Sequence, residues 1–518
     1  MSRLLRSGAV ISAMTLVSRI LGLVRDMIVA RYFPVDGATD AFFVAFKIPN
    51  LLRRFFAEGA FSLAFVPVLA EYRETRSRED LKNLIDYVAG MLGFILLIIT
   101  LIGMIAAPIL VYVFAPGFTK QAGAQPELAA EMLRITFPYI LFISLAGLAG
   151  GILNTFQKFA VPAFTPSLLN VIMIIATVWV APHFETPILA LAWGVFFSGL
   201  AQFLFQVPSL IRLGLMPKFK LKQAHEGVKR VIGLMLPAIF GSSVAQINLV
   251  INTIIASFLV VGSISWLYYS DRFIEFPLAI IGVALGTVIL PKLSGDHARA
   301  DNSEFKKTLD WALRLALVVS IPSTLGLILL SEPILSAVMM HGKFQWSDVQ
   351  MSAMSLMTYS LGLPAFILVK VLAPGFYSRQ DTKTPVKIGV ISVFANMALN
   401  VIIVIPWYFS GFIGAHAGLS LATALAGYVN AGMLFFTLKR QGMFNSSSGW
   451  WAFLARIVLA SLVMVVIVWL IKPEWLWWRD APTLQRVGWL VALIMASLVS
   501  YFSTLSLSGM PLRQMLGR

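Results

Sequence analysis

Long apolar runs dominate the chain, and short polar stretches separate them at regular intervals. A run of about 20 apolar residues crosses a hydrocarbon core of about 30 Å as a helix. The pattern predicts about fourteen such spans. The first seven lie near 8–32, 38–68, 84–115, 128–156, 162–182, 187–211 and 231–260. The other seven lie near 266–293, 308–340, 349–376, 384–409, 412–438, 450–471 and 483–508. The fold class read from this is an all-α polytopic membrane protein. The first run begins like a secretory signal, but Arg19 interrupts it and no small-residue cleavage site precedes that arginine, so it reads as an uncleaved span.

Polar positions at the span ends carry a repeat. EDLKNLIDY (79–87) matches SEFKKTLDW (303–311) at a shift of 224 residues, and the same shift pairs AFVPVL (64–69) with VILPKL (288–293). Chance likeness between amphipathic loop ends is the competing explanation. A shift of six spans keeps both copies in one orientation, so the repeat predicts two pseudo-symmetric six-helix lobes with a central site. The corresponding divisions are a first lobe over 1–211, a basic linker over 212–230, a second lobe over 231–440 and a C-terminal helix pair over 441–518.

Charge changes this picture in two ways. The 518 residues are 58% apolar and 12% charged, with a net charge of +16. In a soluble chain that excess would point to nucleic acid. Here about two dozen Lys and Arg fall in the even-numbered loops and at the termini, against about six in the odd-numbered loops, three of those being Lys472, Arg479 and Arg486. The bias predicts cytoplasmic termini and accounts for most of the excess. The basic loop between Arg212 and Arg230 reads as part of the same bias.

The remaining charges lie inside spans, where each costs roughly 2.5–3.5 kcal/mol at the bilayer centre and therefore faces a wet interior. The second span, TDAFFVAFKIPNLLRRFFAEGAFSLAFVP (39–67), carries Asp40, Lys47, Arg53, Arg54 and Glu58. On a straight helix Asp40, Lys47, Arg54 and Glu58 fall within about 40° of one another, with Arg53 off that stripe unless Pro49 bends the helix. The first span holds Arg19, Arg25 and Asp26. Arg25 is close enough to an end to snorkel, whereas Arg19 lies well inside. Span eight holds Asp271, Arg272 and Glu275, which can also be read as a self-neutralising cluster. Span ten holds Lys370, for which helix packing and a cavity role are equally open. Cations exceed anions and arginine dominates, and its fork of donors suits phosphate oxygens.

Other chemistry is missing from the sequence. There is no GxxxxGK[ST] loop for ATP, no cysteine, and the five histidines are scattered without metal-ligand spacing, so no metal or cofactor is expected and catalysis is not.

TLVSRILGLVRDMIVARY (15–32), the second span quoted above, YYSDRFIEFPLAIIGVALGTVILP (268–291) and KVLAPGFYSRQDTKTPVK (370–387) closely resemble the MurJ (MviN) family of lipid II flippases, in the multidrug/oligosaccharidyl-lipid/polysaccharide exporter superfamily. The resemblance runs over essentially the whole chain and looks closest to proteobacterial members. It implies an inner-membrane flippase moving lipid II, an undecaprenyl-pyrophosphate glycopeptide, by alternating access and driven by membrane potential or an ion gradient. It implies substrate contacts at Arg19, Arg25, Arg53 and Arg272, functional acids at Asp40 and Glu58, and a lipid-tail groove along the last two helices; Asp26, Asp271 and Lys370, read from the spans themselves, join Asp40 and Glu58 as candidates for charge pairing or gating. Membrane lipids and cell-wall synthesis or division proteins are the implied partners. A flippase for another undecaprenyl-linked glycan, an ion-coupled exporter and a membrane scaffold for cell-wall enzymes are the alternatives. The family's key cation in span two is Arg53, off the stripe, so that helix is expected to bend.

Overall fold

The computed structural model describes residues 2–54, 60–221, 226–299, 301–444 and 449–510. Within them the side chains of 2–12, 60, 236–238, 240–245 and 280–287 are outside the description. Among the described residues every regular element is helical. The chain divides into two compact units, Met1–Ser265 and Trp266–Arg518.

The first unit holds α1 (Ser2–Tyr32), α2 (Gly37–Arg53), α3 (Ala60–Thr75), α4 (Arg78–Ile105) and α5 (Ala107–Phe114). It continues with α6 (Pro126–Thr136), α7 (Tyr139–Thr155), α8 (Ala160–Ile175), α9 (Leu189–Leu213) and α10 (Glu226–Ala256). Helix α11 (Ser263–Ala298) leads from the first unit into the second. The second adds α12 (Asn302–Leu329), α13 (Ser331–Val338), α14 (Trp346–Ser360), α15 (Leu363–Tyr377) and α16 (Lys383–Phe409). It ends with α17 (His416–Arg440), α18 (Trp450–Ile471), α19 (Trp475–Asp480) and α20 (Thr483–Leu507).

Among the described residues nine helices are long and apolar enough to cross a membrane, or ten if the bent pair α14–α15 is one span. Several expected spans are built from two helices, and proline sits at or near the breaks. Helices α6 and α7 meet at Phe137–Pro138, and α14 and α15 are bent by 40° ahead of Pro364. Within each unit the later helices pack together: α7 and α8 on α9, and α14, α15 and α16 on α17. Helix α10 packs on α3, inside the first unit.

A proline inside a helix leaves the carbonyl four residues earlier without its usual donor. The fold supplies that donor from a neighbour at two places. Pro49 frees the Ala45 carbonyl, and the Thr136 hydroxyl of α6 donates to it at 3.1 Å. Pro322 frees the Val318 carbonyl, and the Tyr501 hydroxyl of α20 donates to it at 2.7 Å. Both hydroxyl-bearing residues are buried. Thr136→Val and Tyr501→Phe are each expected to cost about 1–2 kcal/mol, because each strands a buried carbonyl without changing shape. Thr136→Ser should retain the wild-type thermal midpoint, and equal midpoints for Thr136→Val and wild type would overturn this account.

The C-terminal pair α18 and α20 buries Phe453, Ile457, Met464, Leu493 and Leu505 against Val318 of α12 and Ala337 of α13. Arg486, counted above as a loop charge, is buried at the start of α20. Its guanidinium donates to the Ser336 carbonyl at 2.9 Å and the Met340 carbonyl at 3.2 Å. A cation there meets the free carbonyls at the end of α13.

Candidate functional site

Helix α2 presents its charges in two directions. The carboxylate of buried Asp40 accepts from Gly262 N at 2.7 Å, Ser265 N at 2.9 Å and Ser265 Oγ at 2.6 Å. It therefore caps the first turn of α11 from a distant part of the chain. Two turns on, Lys47 Nζ reaches Thr253 Oγ1 of α10 at 3.5 Å. Two further turns on, Arg54 donates to Gln246 Oε1 of α10 at 3.1 Å. The partners step back along the chain, 265, 253 and 246, as the α2 residues step forward. Asp40, Lys47 and Arg54 thus share the one face that the helical wheel gave them, and that face meets α10 and the first turn of α11. Arg53 lies off it, and its Nε donates to Asn50 Oδ1 at 2.7 Å on its own helix. Helix α2 ends at Arg53, and α3 begins at Ala60. Glu58 falls between them, outside the described residues.

Helix α1 splits its charges differently. Arg19 is exposed. Arg25 is 4% exposed and Asp26 2%. The Arg25 guanidinium grips Asp26 Oδ1 at 2.9 and 2.7 Å and donates to Asn170 Oδ1 of α8 at 3.1 Å. Asn170 returns a bond to the Ser18 carbonyl at 2.9 Å. These contacts fasten α1 to α8, and Gly22 lies opposite Asn170 in ordinary contact. Arg25→Ala removes the guanidinium that grips a buried carboxylate and should cost about 3–5 kcal/mol. Adding Asp26→Asn should recover part of that loss in the thermal midpoint of purified protein. Wild-type stability in the single variant would contradict the fastening role.

In the second unit the charges cluster on α11. Arg272 donates to the Tyr268 hydroxyl at 2.6 Å and lies 4.8 Å over that ring. It also meets Glu275 Oε2 at 3.4 Å. The Arg272 side chain is 27% exposed and that of Glu275 57%, so the cluster stays open to an incoming group. Asp271 is half-buried beside it. Lys370 on α15 is exposed.

The structure thus gathers Arg272 with Glu275, and Arg25 with Asp26, and it sets Asp40 on backbone donors. The partners Tyr268, Asn170, Thr253, Gln246 and Ser265 were not singled out from the sequence. Tyr268 carried a readable signal, since an aromatic four residues before an arginine shares its helix face. The others are neutral residues whose importance comes from what they meet across the fold.

Comparison with known proteins agrees with this arrangement of helices and charges. A sequence model described as lipid II flippase MurJ matches residues 29–479. The chain is 44% identical over 522 residues to a probable lipid II flippase MurJ of Vibrio cholerae serotype O1, covering 99% of this chain and 98% of that one. It is 43% identical over 512 residues to the lipid II flippase MurJ of Burkholderia cenocepacia, with 98% of each covered. It is similar to a solved lipid II flippase MurJ in an inward closed conformation, with a TM-score of 0.81 and 29% identity, covering 98% of this chain and 99% of that one. An inward-facing multidrug resistance MATE family transporter of the MOP superfamily shares the fold, with a TM-score of 0.68 and 14% identity over 84% of this chain and 98% of that one. With helical architecture, intramembrane cations and near full-length likeness in agreement, the chain belongs to the lipid II flippase MurJ family.

Proposed function

We propose that this protein carries lipid II from the cytoplasmic to the periplasmic leaflet of the bacterial inner membrane by alternating access, with both termini in the cytoplasm. The observation that carries the reading is the set of arginines on helices of membrane-span character in a chain related over its whole length to lipid II flippases. Arg19, Arg53 and Arg272 would bind the diphosphate of the substrate. Guanidinium stays charged when desolvated and offers parallel donors to phosphate oxygens, which a lysine does not. Arg25, fastened to Asp26 and Asn170, sets the position of α1. Asp271 and Glu275 balance Arg272 when no substrate is present, and their repulsion of the diphosphate favours its release. Charge moving with the helices responds to a membrane potential by about 2.3 kcal/mol per charge per 100 mV, so no ATP site is required.

The test is depletion and complementation in cells with labelled lipid II, scoring its access to a periplasmic probe. Depletion should trap lipid II on the cytoplasmic side, and this chain should restore export. Continued export after depletion, in cells with no other flippase, would remove the assignment. Rescue by variants lacking the intramembrane arginines would favour a scaffold instead.

A further inference from the structure

The repeat places Asp86 and Asp310 at equivalent positions, 224 residues apart in the EDLKNLIDY and SEFKKTLDW copies. Each ties the chain leaving its repeat to that repeat's third span. Asp86 is buried on α4. It accepts from Lys218 N at 2.8 Å, pairs with Lys220 Nζ at 3.3 Å, and is gripped by Lys82. Lys220 also donates its backbone N–H to the Asp86 carbonyl at 3.3 Å and lies over the Tyr87 ring. The connector after α9 therefore lies flat on α4. It crosses Gly90, where any Cβ would collide with the Lys220 carbonyl.

Asp310 ties the chain after α17 in a related way, accepting from Trp450 Nε1 at 2.7 Å. The counterpart of Gly90 is different: it is Arg314. Its guanidinium bonds Asp310 Oδ2 at 2.9 Å and lies 4.9 and 5.0 Å from the Trp450 and Phe453 rings. A chain cannot lie flat over that side chain. What remains is a cavity of about 390 Å³, lined by Trp311, Leu315, Val318 and Phe453 together with Arg314 and Arg456. That volume falls within the range of about 300–1,000 Å³ found for small-molecule sites.

Arg456, on the second turn of α18, has no hydrogen bond or ion pair among the described residues. Asp310 balances Arg314, so among the described residues the chamber keeps one positive charge, that of Arg456. Apolar and aromatic walls around a single guanidinium complement one negative charge carried on a hydrocarbon chain. The α18 face that continues from Arg456 is apolar and exposed, with Leu459 52%, Val466 53% and Leu470 68% accessible, which is the surface a lipid chain would follow. We propose that this chamber, between α12 and the start of α18, holds the phosphate of an anionic lipid on Arg456, with its hydrocarbon running along α18.

The test uses the full chain purified in a neutral detergent and titrated with dioctanoyl phosphatidylglycerol, followed by thermophoresis or tryptophan fluorescence; no transport is needed. Wild type should bind it, and dioctanoyl phosphatidylcholine should not compete. Arg456→Gln should weaken binding by about tenfold or more, as loss of a charge-assisted contact requires. Arg456→Lys should stay within about threefold of wild type, since a point charge still binds phosphate, and this variant controls for folding. Farnesyl phosphate separates the two sources of this chemistry: equal competition assigns the site to polyprenyl phosphates, and failure to compete assigns it to glycerophospholipids. Unchanged affinity in Arg456→Gln, or equal binding of the zwitterionic lipid, would overturn the proposal.

Discussion

Arg272→Ala is expected to abolish lipid II export while leaving the amount and thermal midpoint of the protein nearly unchanged. The two halves of that expectation have separate physical origins. The side chain is 27% exposed and its ion-pair partner Glu275 is 57% exposed, so removing the guanidinium strands no buried charge. Exposed pairs contribute at most about 1 kcal/mol to stability. Against a diphosphate in a partly desolvated site, the same guanidinium is worth about 2–5 kcal/mol, or roughly 30- to several-thousand-fold in occupancy. Arg272→Lys should retain charge but lose both the fork and the stacking on Tyr268, and should export at an intermediate rate. Tyr268→Phe keeps the ring under the guanidinium and loses only the 2.6 Å hydroxyl contact, so its effect should be smaller than that of Arg272→Lys. Export is read as periplasmic access of labelled lipid II in depleted cells carrying each variant. Wild-type export by Arg272→Ala would remove Arg272 from the substrate path, and a large drop in its midpoint would make the cluster structural.

What could be read from the sequence follows from how far each signal reaches along the chain. The helical class was legible because apolar runs of bilayer length have few other uses. The shared face of Asp40, Lys47 and Arg54 was legible because helical periodicity fixes it locally. The helix breaks at Pro138 and Pro364 were not placed, since a proline does not by itself mark a break: Pro67, Pro166, Pro208, Pro374 and Pro406 all lie inside helices. Pro49 and Pro322 lie inside continuous helices, each with a hydroxyl from a sequence-distant helix on the freed carbonyl. The burial of Arg25 was equally hidden. Its partner Asn170 is 145 residues away, and nothing in the first span distinguishes a snorkelling arginine from one fastened to a neighbouring helix. Arg486 looked like a loop charge because its role is defined by carbonyls about 150 residues earlier. The 224-residue repeat aligned Gly90 with Arg314, and the contrast between those two residues explains why one face is covered by the chain and, among the described residues, the other is open.

Asp40 carries the second large effect, and the structure changes what its loss should do. Read from sequence, Asp40 was an acid among intramembrane cations, available for pairing or gating. In the fold its carboxylate receives three donors from Gly262 and Ser265 at the first turn of α11, a turn whose N–H groups have no partners within the helix. An anion at that position also meets the positive end of the helix dipole. Asp40→Ala removes all three acceptor contacts from a buried site. Hydrogen bonds to a charged group contribute about 1.5–3 kcal/mol each and do not add fully, and burying the carboxylate offsets part of the gain, so a loss of about 3–5 kcal/mol is expected. Asp40→Asn keeps one oxygen for the Ser265 pair but turns an NH2 toward the Gly262 N–H, so about half that loss should follow. Ser265→Ala removes only the 2.6 Å hydroxyl contact and should cost about 1 kcal/mol. The expected order of thermal midpoints is therefore wild type, Ser265→Ala, Asp40→Asn, Asp40→Ala, with export falling in step because Arg272 lies two turns further along the helix that Asp40 caps. A gating carboxylate behaves differently: export would be lost at an unchanged midpoint in Asp40→Asn, and that result would replace the capping role with a gating one.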